Sequence, residues 1–233
     1  MTLTQRAITL SIKGLTRILC RVEDGWTGQV PLHGPLILVC NHVNFLDAPL
    51  VYSHLQPRPV TGFAKVETWD NPLMGLLFDL WGAIPIQRGE PDRSALERGL
   101  AALEQGKILA ISPEGARSGD GRLKRGHPGV ALIALKSGTP LLSLVYYGGE
   151  SIYQNVRQFQ RTDFHIRVGR KFRIELGGQK VSRPLRQQIT DEIMIQLALL
   201  LPEEYRGVYA GREGEACGYL RFEEEQQKRG NGL

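Results

Sequence analysis

Several things are scarce in this sequence, and each scarcity narrows the reading. Among 233 residues there are three cysteines, Cys20, Cys40 and Cys217, odd in number and far apart. That suits neither a disulfide framework nor a zinc site, and it points to a reducing compartment. No uncharged apolar run reaches the roughly 18 residues that a membrane-crossing helix needs. The longest candidate, residues 72–86, is broken by Asp79. The N-terminus shows no secretory signal pattern. There is no internal repeat, no low-complexity run and no linker that would divide the chain. With 42% hydrophobic and 23% charged residues, a disordered or fibrous chain is excluded and one sizeable domain is expected.

Charge is present in excess and unevenly placed. The formal net charge is +5. Arg6, Lys13, Arg17 and Arg21 lie in residues 1–22, which carry no acid. Residues 153–175 hold six Arg or Lys against two acids, including Arg167, Arg170, Lys171 and Arg173. Such surfaces suit a polyanionic partner: phospholipid, nucleic acid or a phosphorylated small molecule. The basic stretches lack the interleaved aromatics that base stacking would use, which argues against nucleic acid.

The first segment is periodic. Ile8, Ile12, Leu15, Leu19 and Val22 are spaced 4, 3, 4 and 3, a helical stripe with the basic residues opposite. Two placements fit it: an interfacial helix under basic residues, or a helix packed on the core.

Further along, short apolar runs alternate with helical patterns. Residues 35–40, 59–64, 84–86, 107–112 and 140–147 read as strands, and 164–176 as a strand or hairpin near a sheet edge. Residues 46–55, 71–81, 91–105, 128–137 and 184–201 read as helices. This alternation predicts an α/β fold with a mostly parallel central sheet flanked by helices, preceded by the short amphipathic helix. The expected organisation is an N-terminal helix over 1–22, a domain over 23–201 and a tail over 202–233.

Three groups of residues carry chemistry. His42 and Asp47 follow the first buried strand, where α/β sheets place active sites. A histidine there can act as a general base, and a carboxylate near it fixes its tautomer. By spacing alone the pair reads as a helix cap and its neighbour. Pro113-Glu114-Gly115-Ala116-Arg117-Ser118 follows another strand. Gly115 would let backbone approach a ligand, Arg117 can bind phosphate bidentately, and Ser118 adds a donor. Lys65 and Arg88 end two further strand-like segments. If the sheet is parallel, Lys65, Arg88 and Arg117 gather on one edge near His42 as an anion site.

Taken in order, Asn41-His42-x4-Asp47, Lys65, Gly82-Ala-Ile-Pro-Ile-x-Arg88, Pro113-Glu114-Gly115-x-Arg117-Ser118 and Gly138-Thr-Pro140 resemble the 1-acylglycerol-3-phosphate acyltransferase (PlsC-type) glycerolipid acyltransferases over residues 36–147, about half the chain. The resemblance implies transfer of an acyl chain from acyl-CoA or acyl carrier protein to a lysophospholipid hydroxyl, most simply that of 1-acylglycerol-3-phosphate. His42 would be the base and Asp47 its orienting partner. Lys65, Arg88 and Arg117 would hold the acceptor phosphate, with Ser118 beside them, and Glu114 and Gly115 would shape the pocket. No cofactor and no metal is implied, because a thioester is already activated. The partners would be the two substrates, acyl carrier protein among the donors, and a membrane surface met peripherally from its cytoplasmic face. Two positions depart from the family pattern: Ala116 where Thr is usual, and Ser112 where an aromatic is usual. Ala116 leaves another lyso-lipid acceptor open. A hydrolase and a non-enzymatic lipid-binding module are the competing classes.

Overall fold

The computed structural model describes residues 3–22, 24–87, 89 and 92–223. In chain order the elements are α1 (Leu3–Leu19), β1 (Cys20–Val22), β2 (Leu36–Cys40), α2 (Asp47–His54), β3 (Val60–Lys65), α3 (Pro72–Leu80), β4 (Ile84–Ile86), α4 (Arg93–Glu104), β5 (Ile108–Ile111), α5 (Gly129–Ser137), β6 (Leu141–Tyr147), α6 (Ile152–Arg157), β7 (Thr162–Ile174), α7 (Arg183–Leu200) and β8 (Leu220–Phe222). The fold is α/β, with a mostly parallel central sheet.

The sheet order is β1-β7-β6-β2-β5-β3-β4. Strands β6, β2, β5, β3 and β4 are mutually parallel, so their C-terminal ends share one edge. β7 runs against β6, and β1 lies parallel to β7. β2 sits in the interior, and all five of its residues are buried. Its side chains divide between two cores, as the period of a strand dictates. Ile37 and Val39 join α4, α5 and α7 on one face. Leu36, Leu38 and Cys40 join α1, α2 and Trp81 on the other.

Local chemistry sets the helix starts. Asn71 accepts the N–H groups of Leu73 and Met74 at 3.0 and 3.1 Å, ahead of Pro72, a cap followed by proline at the first position. Asp92 accepts the Ala95 N–H at 2.8 Å, so α4 begins at Arg93 rather than at 91. Ser182 likewise caps α7 through Leu185 N at 3.2 Å.

Two expectations change. The strand expected at 164–176 near an edge is an interior strand, Thr162–Ile174. It pairs β6 along one side, while β1 and β8 pair its two ends. Those flanking strands have three residues each, too few to show a period. For the same reason residues 20–22 and 220–222 are not appendages: both are woven into the sheet. The basic residues of β7 are also less free than their sequence suggests. Lys171 and Arg173 both pair with Glu223, and Arg170 lies over the Phe222 ring at 5.2 Å.

Of the two placements open to the N-terminal stripe, the structure shows the one packed on the core. Ile8, Ile12 and Leu19 are half-buried against the body, with Thr9 and Thr16 buried between them. Leu15 is exposed. The outward apolar row is a different one: Leu3, Leu10 and Ile18, at 87%, 60% and 68% exposure. A helical turn of 100° per residue puts Arg6, Lys13 and Arg17 between the two rows. α1 therefore packs on the core and still presents an apolar strip to solvent. Among the described residues, no helix is long and apolar enough to cross a membrane.

Candidate active site

β2 ends at Cys40, and the next seven residues turn the chain into α2. Asn41 fixes the first step. Its amide donates to Tyr146 O at 2.8 Å and accepts from Tyr146 N at 2.9 Å, extending the β2–β6 pairing by a side chain. Asn44 fixes the far side: Nδ2 donates to Gly149 O at 2.7 Å, and Oδ1 accepts from Leu46 N at 2.8 Å. Between these latches stands His42.

Asp47 organises that loop. Its Oδ2 lies 2.7 Å from His42 Nδ1 and accepts the N–H groups of Val43 at 2.7 Å and Asn44 at 3.1 Å. The carboxylate is 4% exposed and sits in the first turn of α2, where the helix dipole favours a negative charge. With Nδ1–H given to Asp47, Nε2 is the basic nitrogen left for a substrate. The His42 side chain is 21% exposed, so the ring is held yet within reach of solvent.

The Pro113–Ser118 loop leaves β5, the neighbour of β2, and is tied to the His42 loop in both directions. Ser118 N donates to His42 O at 2.7 Å, and Gly119 N to Val43 O at 3.2 Å. Glu114 returns the link, accepting His42 N through Oε1 and Lys124 N through Oε2, both at 2.9 Å. Glu114 is 4% exposed, and burial pushes its carboxyl up to about 7 despite those two N–H bonds. Gly115 has φ of +69°, and a Cβ there would meet the His127 ring at 3.2 Å. Backbone conformation thus requires a residue without a side chain.

The expected site residues are placed as follows. His42, Asp47, Glu114 and Ser118 form one hydrogen-bonded unit, and Gly115 sits in the turn beside Glu114, its N–H given to Ser112 O at 3.1 Å. Ser118 Oγ accepts Gly121 N at 3.1 Å, so it shapes its own turn. The Arg117 side chain is exposed, and its carbonyl is held by Lys124 Nζ at 2.8 Å. Lys65 ends β3, two strands from β2 on the same edge, and is exposed. Arg88 lies outside the described residues. Sequence reading missed Asn44 as the link to Gly149 and Lys124 as a cation at the site. The first was inside the motif, but its partner is 105 residues away; the second was one of several basic residues in a loop. Burial pushes the Cys40 thiol up to about 12 and the Cys20 thiol up to about 11, so neither is a thiolate near neutrality. Among the described residues, no group of three His, Cys, Asp or Glu is placed to share a metal ion.

The C-terminal edge of the parallel strands thus carries a histidine held by a buried carboxylate, at the place where α/β sheets set their active sites. A family model described as Acyltransferase matches residues 22–147, and the chain belongs to that family. It is 36% identical over 115 residues to a 1-acyl-sn-glycerol-3-phosphate acyltransferase of Limnanthes alba, covering 48% of this chain and 41% of that protein. It is 34% identical over 113 residues to the lyso-ornithine lipid O-acyltransferase of Pseudomonas aeruginosa, covering 48% and 42%. The match thus takes in about two fifths of these relatives' length. The crystal structure of the 1-acyl-sn-glycerophosphate acyltransferase PlsC from Thermotoga maritima superposes with a TM-score of 0.59 at 20% identity, covering 81% of this chain and 77% of that one. At that identity the likeness is one of fold.

Proposed function

We propose that this protein transfers a fatty acyl group from a thioester donor to the free hydroxyl of a lysophospholipid, 1-acylglycerol-3-phosphate being the acceptor that fits best. The observation that carries the reading is the 2.7 Å contact of His42 Nδ1 with the buried Asp47 carboxylate. His42 Nε2 takes the proton from the acceptor hydroxyl as its oxygen attacks the thioester carbonyl. The C–O bond forms, the C–S bond breaks, and the leaving sulfur recovers the proton from the imidazolium. Asp47 stabilises that imidazolium. Lys65, the last residue of β3, and Arg117, in the loop after β5, hold the acceptor phosphate together with Arg88. General base catalysis contributes roughly 10²–10⁴-fold, and orientation of the two substrates contributes more.

The test is acyl transfer from labelled acyl-CoA and acyl carrier protein to lysophosphatidic acid in detergent micelles, with wild type and His42→Ala. Product from wild type and nearly none from the variant supports the reading. Free fatty acid released at the same rate with and without acceptor makes the protein a hydrolase. A second acceptor class is favoured by Ala116 and by the lyso-ornithine lipid relative. A panel of lyso-lipids with and without a phosphate distinguishes it.

The acceptor resides in a bilayer, and α1 supplies the contact. Leu3, Leu10 and Ile18 enter the interface, while Arg6, Lys13 and Arg17 meet the anionic headgroups of the cytoplasmic leaflet. Attachment of this kind is peripheral and reversible.

A further inference from the structure

On the sheet edge that carries His42, the two sides of β2 differ. Lys65 and Arg117 lie on the side of β5 and β3. On the side of β6 a concavity of about 830 Å³ opens, within the roughly 300–1,000 Å³ of small-molecule sites. The topology explains its position. β6 ends at Tyr147, and β7 runs the opposite way, so that His165 stands across from Tyr147. The chain then turns through Gly148 and Gly149 toward α6. Gly149 O takes the Asn44 amide at 2.7 Å, so the concavity adjoins the loop that holds His42.

The two ends of the concavity carry different groups. Toward β1 stand Arg21 and Arg161, where it meets a smaller concavity. Both cations are engaged: Arg21 pairs with Asp163 at 3.0 Å, and one Arg161 nitrogen donates to Arg17 O at 2.6 Å and to Cys20 O at 2.7 Å. Toward the His42 loop the wall is aromatic and acidic, made by Tyr147, Glu150, Glu204 and Tyr205. The Tyr147 and Tyr205 ring centroids lie 5.6 Å apart, and His165 stacks on Tyr147 at 4.7 Å. Glu150 Oε1 accepts the Tyr205 hydroxyl at 2.5 Å, whereas Oε2 is buried with no hydrogen-bond partner among the described residues. Neither Glu150 nor Glu204 is ion-paired among the described residues. Burial and these two carboxylates push the Tyr205 hydroxyl up to about 12. Tyr205 therefore keeps its proton, and the wall holds two uncompensated carboxylates beside two tyrosine rings.

Such a wall selects an alkylammonium. A ring face attracts a cation through its quadrupole, and a carboxylate accepts a charge-assisted N–H bond. A phosphate is repelled from this end. Length supplies a second constraint. β6 is the neighbour of β2, ~4.8 Å away, and Glu150 lies beyond the end of β6. In a lyso-lipid with an aminoethyl phosphate or a diamino acid headgroup, about eight or nine bonds separate the free hydroxyl from the ammonium, roughly 10 Å when extended. With the hydroxyl at His42, the ammonium falls beyond β6, in this concavity.

We propose that the wall of Tyr147, Glu150, Glu204 and Tyr205 receives the ammonium of an acceptor headgroup. This rests on the acyltransferase reading and gives the chemistry of its second acceptor class: a lyso-lipid whose headgroup carries a primary amine. Acceptor selectivity is then set on both sides of His42. The cations beyond β5 and β3 favour a bare phosphate, and the wall beyond β6 favours an ammonium.

The experiment has two arms. NMR titration of the full chain with O-phosphoethanolamine and with Nα-acetylornithine tests the wall without reference to catalysis. Acyl transfer in micelles to lyso-phosphatidylethanolamine, lyso-ornithine lipid and lysophosphatidic acid then compares wild type with Glu204→Gln and Glu150→Gln, after thermal unfolding shows both variants folded. Glu204 is exposed, so its variant keeps the test open if the other fails to fold. The expected result is saturable binding of an amine probe, weakened in Glu204→Gln. The kcat/KM for an amine-bearing acceptor, taken relative to lysophosphatidic acid, should fall roughly tenfold or more, the scale of one charge-assisted hydrogen bond. Which of the two amine-bearing lyso-lipids responds tells a phosphate ester headgroup from a diamino acid one. Absent binding of both probes, acylation of lysophosphatidic acid alone, or an unchanged ratio in the variants overturns the proposal. Binding of an amine probe, weakened in Glu204→Gln, without transfer to any lyso-lipid would keep the ammonium site and sink the acyltransferase reading instead.

Discussion

Glu114 holds the backbone N–H of His42 at 2.9 Å while Ser118 N holds the His42 carbonyl at 2.7 Å. The two loops that follow β2 and β5 are therefore one unit, and His42 is positioned from its main chain as well as from its ring. Glu114→Gln keeps the shape but turns one acceptor oxygen into a donor facing an N–H. It should cost about 1–3 kcal/mol of stability and lower kcat more than it raises KM for either substrate. Chemical denaturation beside steady-state kinetics checks both; unchanged kcat would remove Glu114 from any positioning role.

The same carboxyl sets a pH dependence. Burial raises Glu114 from 4.5 to about 7, so between those values the folded chain binds more protons than the unfolded one. Stability then falls as pH rises through that window, and Glu114 adds no further slope above it. Thermal unfolding across the window should show this decline in wild type and a shallower one in Glu114→Gln. Parallel curves would refute it.

Asp47 receives three donors on one oxygen. In Asp47→Asn the amide can accept at only one of its two ends, and the imidazolium loses its counter-charge. Activity should fall by roughly 10²-fold or more, close to the His42→Ala loss, since the two residues act together. The double variant should lose little beyond His42→Ala alone. Additive losses would show that the two act independently.

Leu10 and Ile12 lie on opposite sides of α1. Leu10 is 60% exposed, whereas Ile12 packs against the α2 side of the core. Leu10→Glu should weaken binding to anionic vesicles without lowering Tm, and Ile12→Glu should lower Tm. Vesicle sedimentation with wild type, Leu10→Glu and Arg17→Gln tests the contact; undiminished binding by Leu10→Glu rejects it.

Gly148 has φ of +84°, and a Cβ there would come within 2.4 Å of Asp163 O. Gly148→Ala forces either β6 or β7 to shift at the edge that carries Tyr147 and His165. A loss of about 1–3 kcal/mol is expected. Wild-type stability in this variant would mean that the turn relaxes freely.

Much of this was legible in the sequence because it is local. The buried strand at 36–40, the Asn71 cap and the Gly138 helix stop each depend on a few neighbouring residues, and period and capping report those. The motif order marked His42, Asp47 and the Glu114 loop as a set. Pairings between distant segments were not legible. Asn44 with Gly149, β1 with β7 and β8 with β7 join residues far apart in the chain, and a three-residue strand has no period to betray it. The placement of the α1 stripe, on the core or at an interface, stayed open for a related reason. Its inward and outward rows are both apolar at helical spacing, and only the body beneath decides which row is buried.

The sequence by itself determined the alternation of strands and helices and marked His42, Asp47 and the Glu114 loop as one set of motifs. Tertiary structure alone decided that β2 lies between β6 and β5, that Glu114 is a buried brace between the His42 loop and Lys124, and that Asn44 is latched to Gly149. The physical reason is that hydrogen bonding and burial along a chain are set by nearest neighbours. Which strand lies beside which is settled by how two apolar faces are jointly covered, and that is a property of the whole domain.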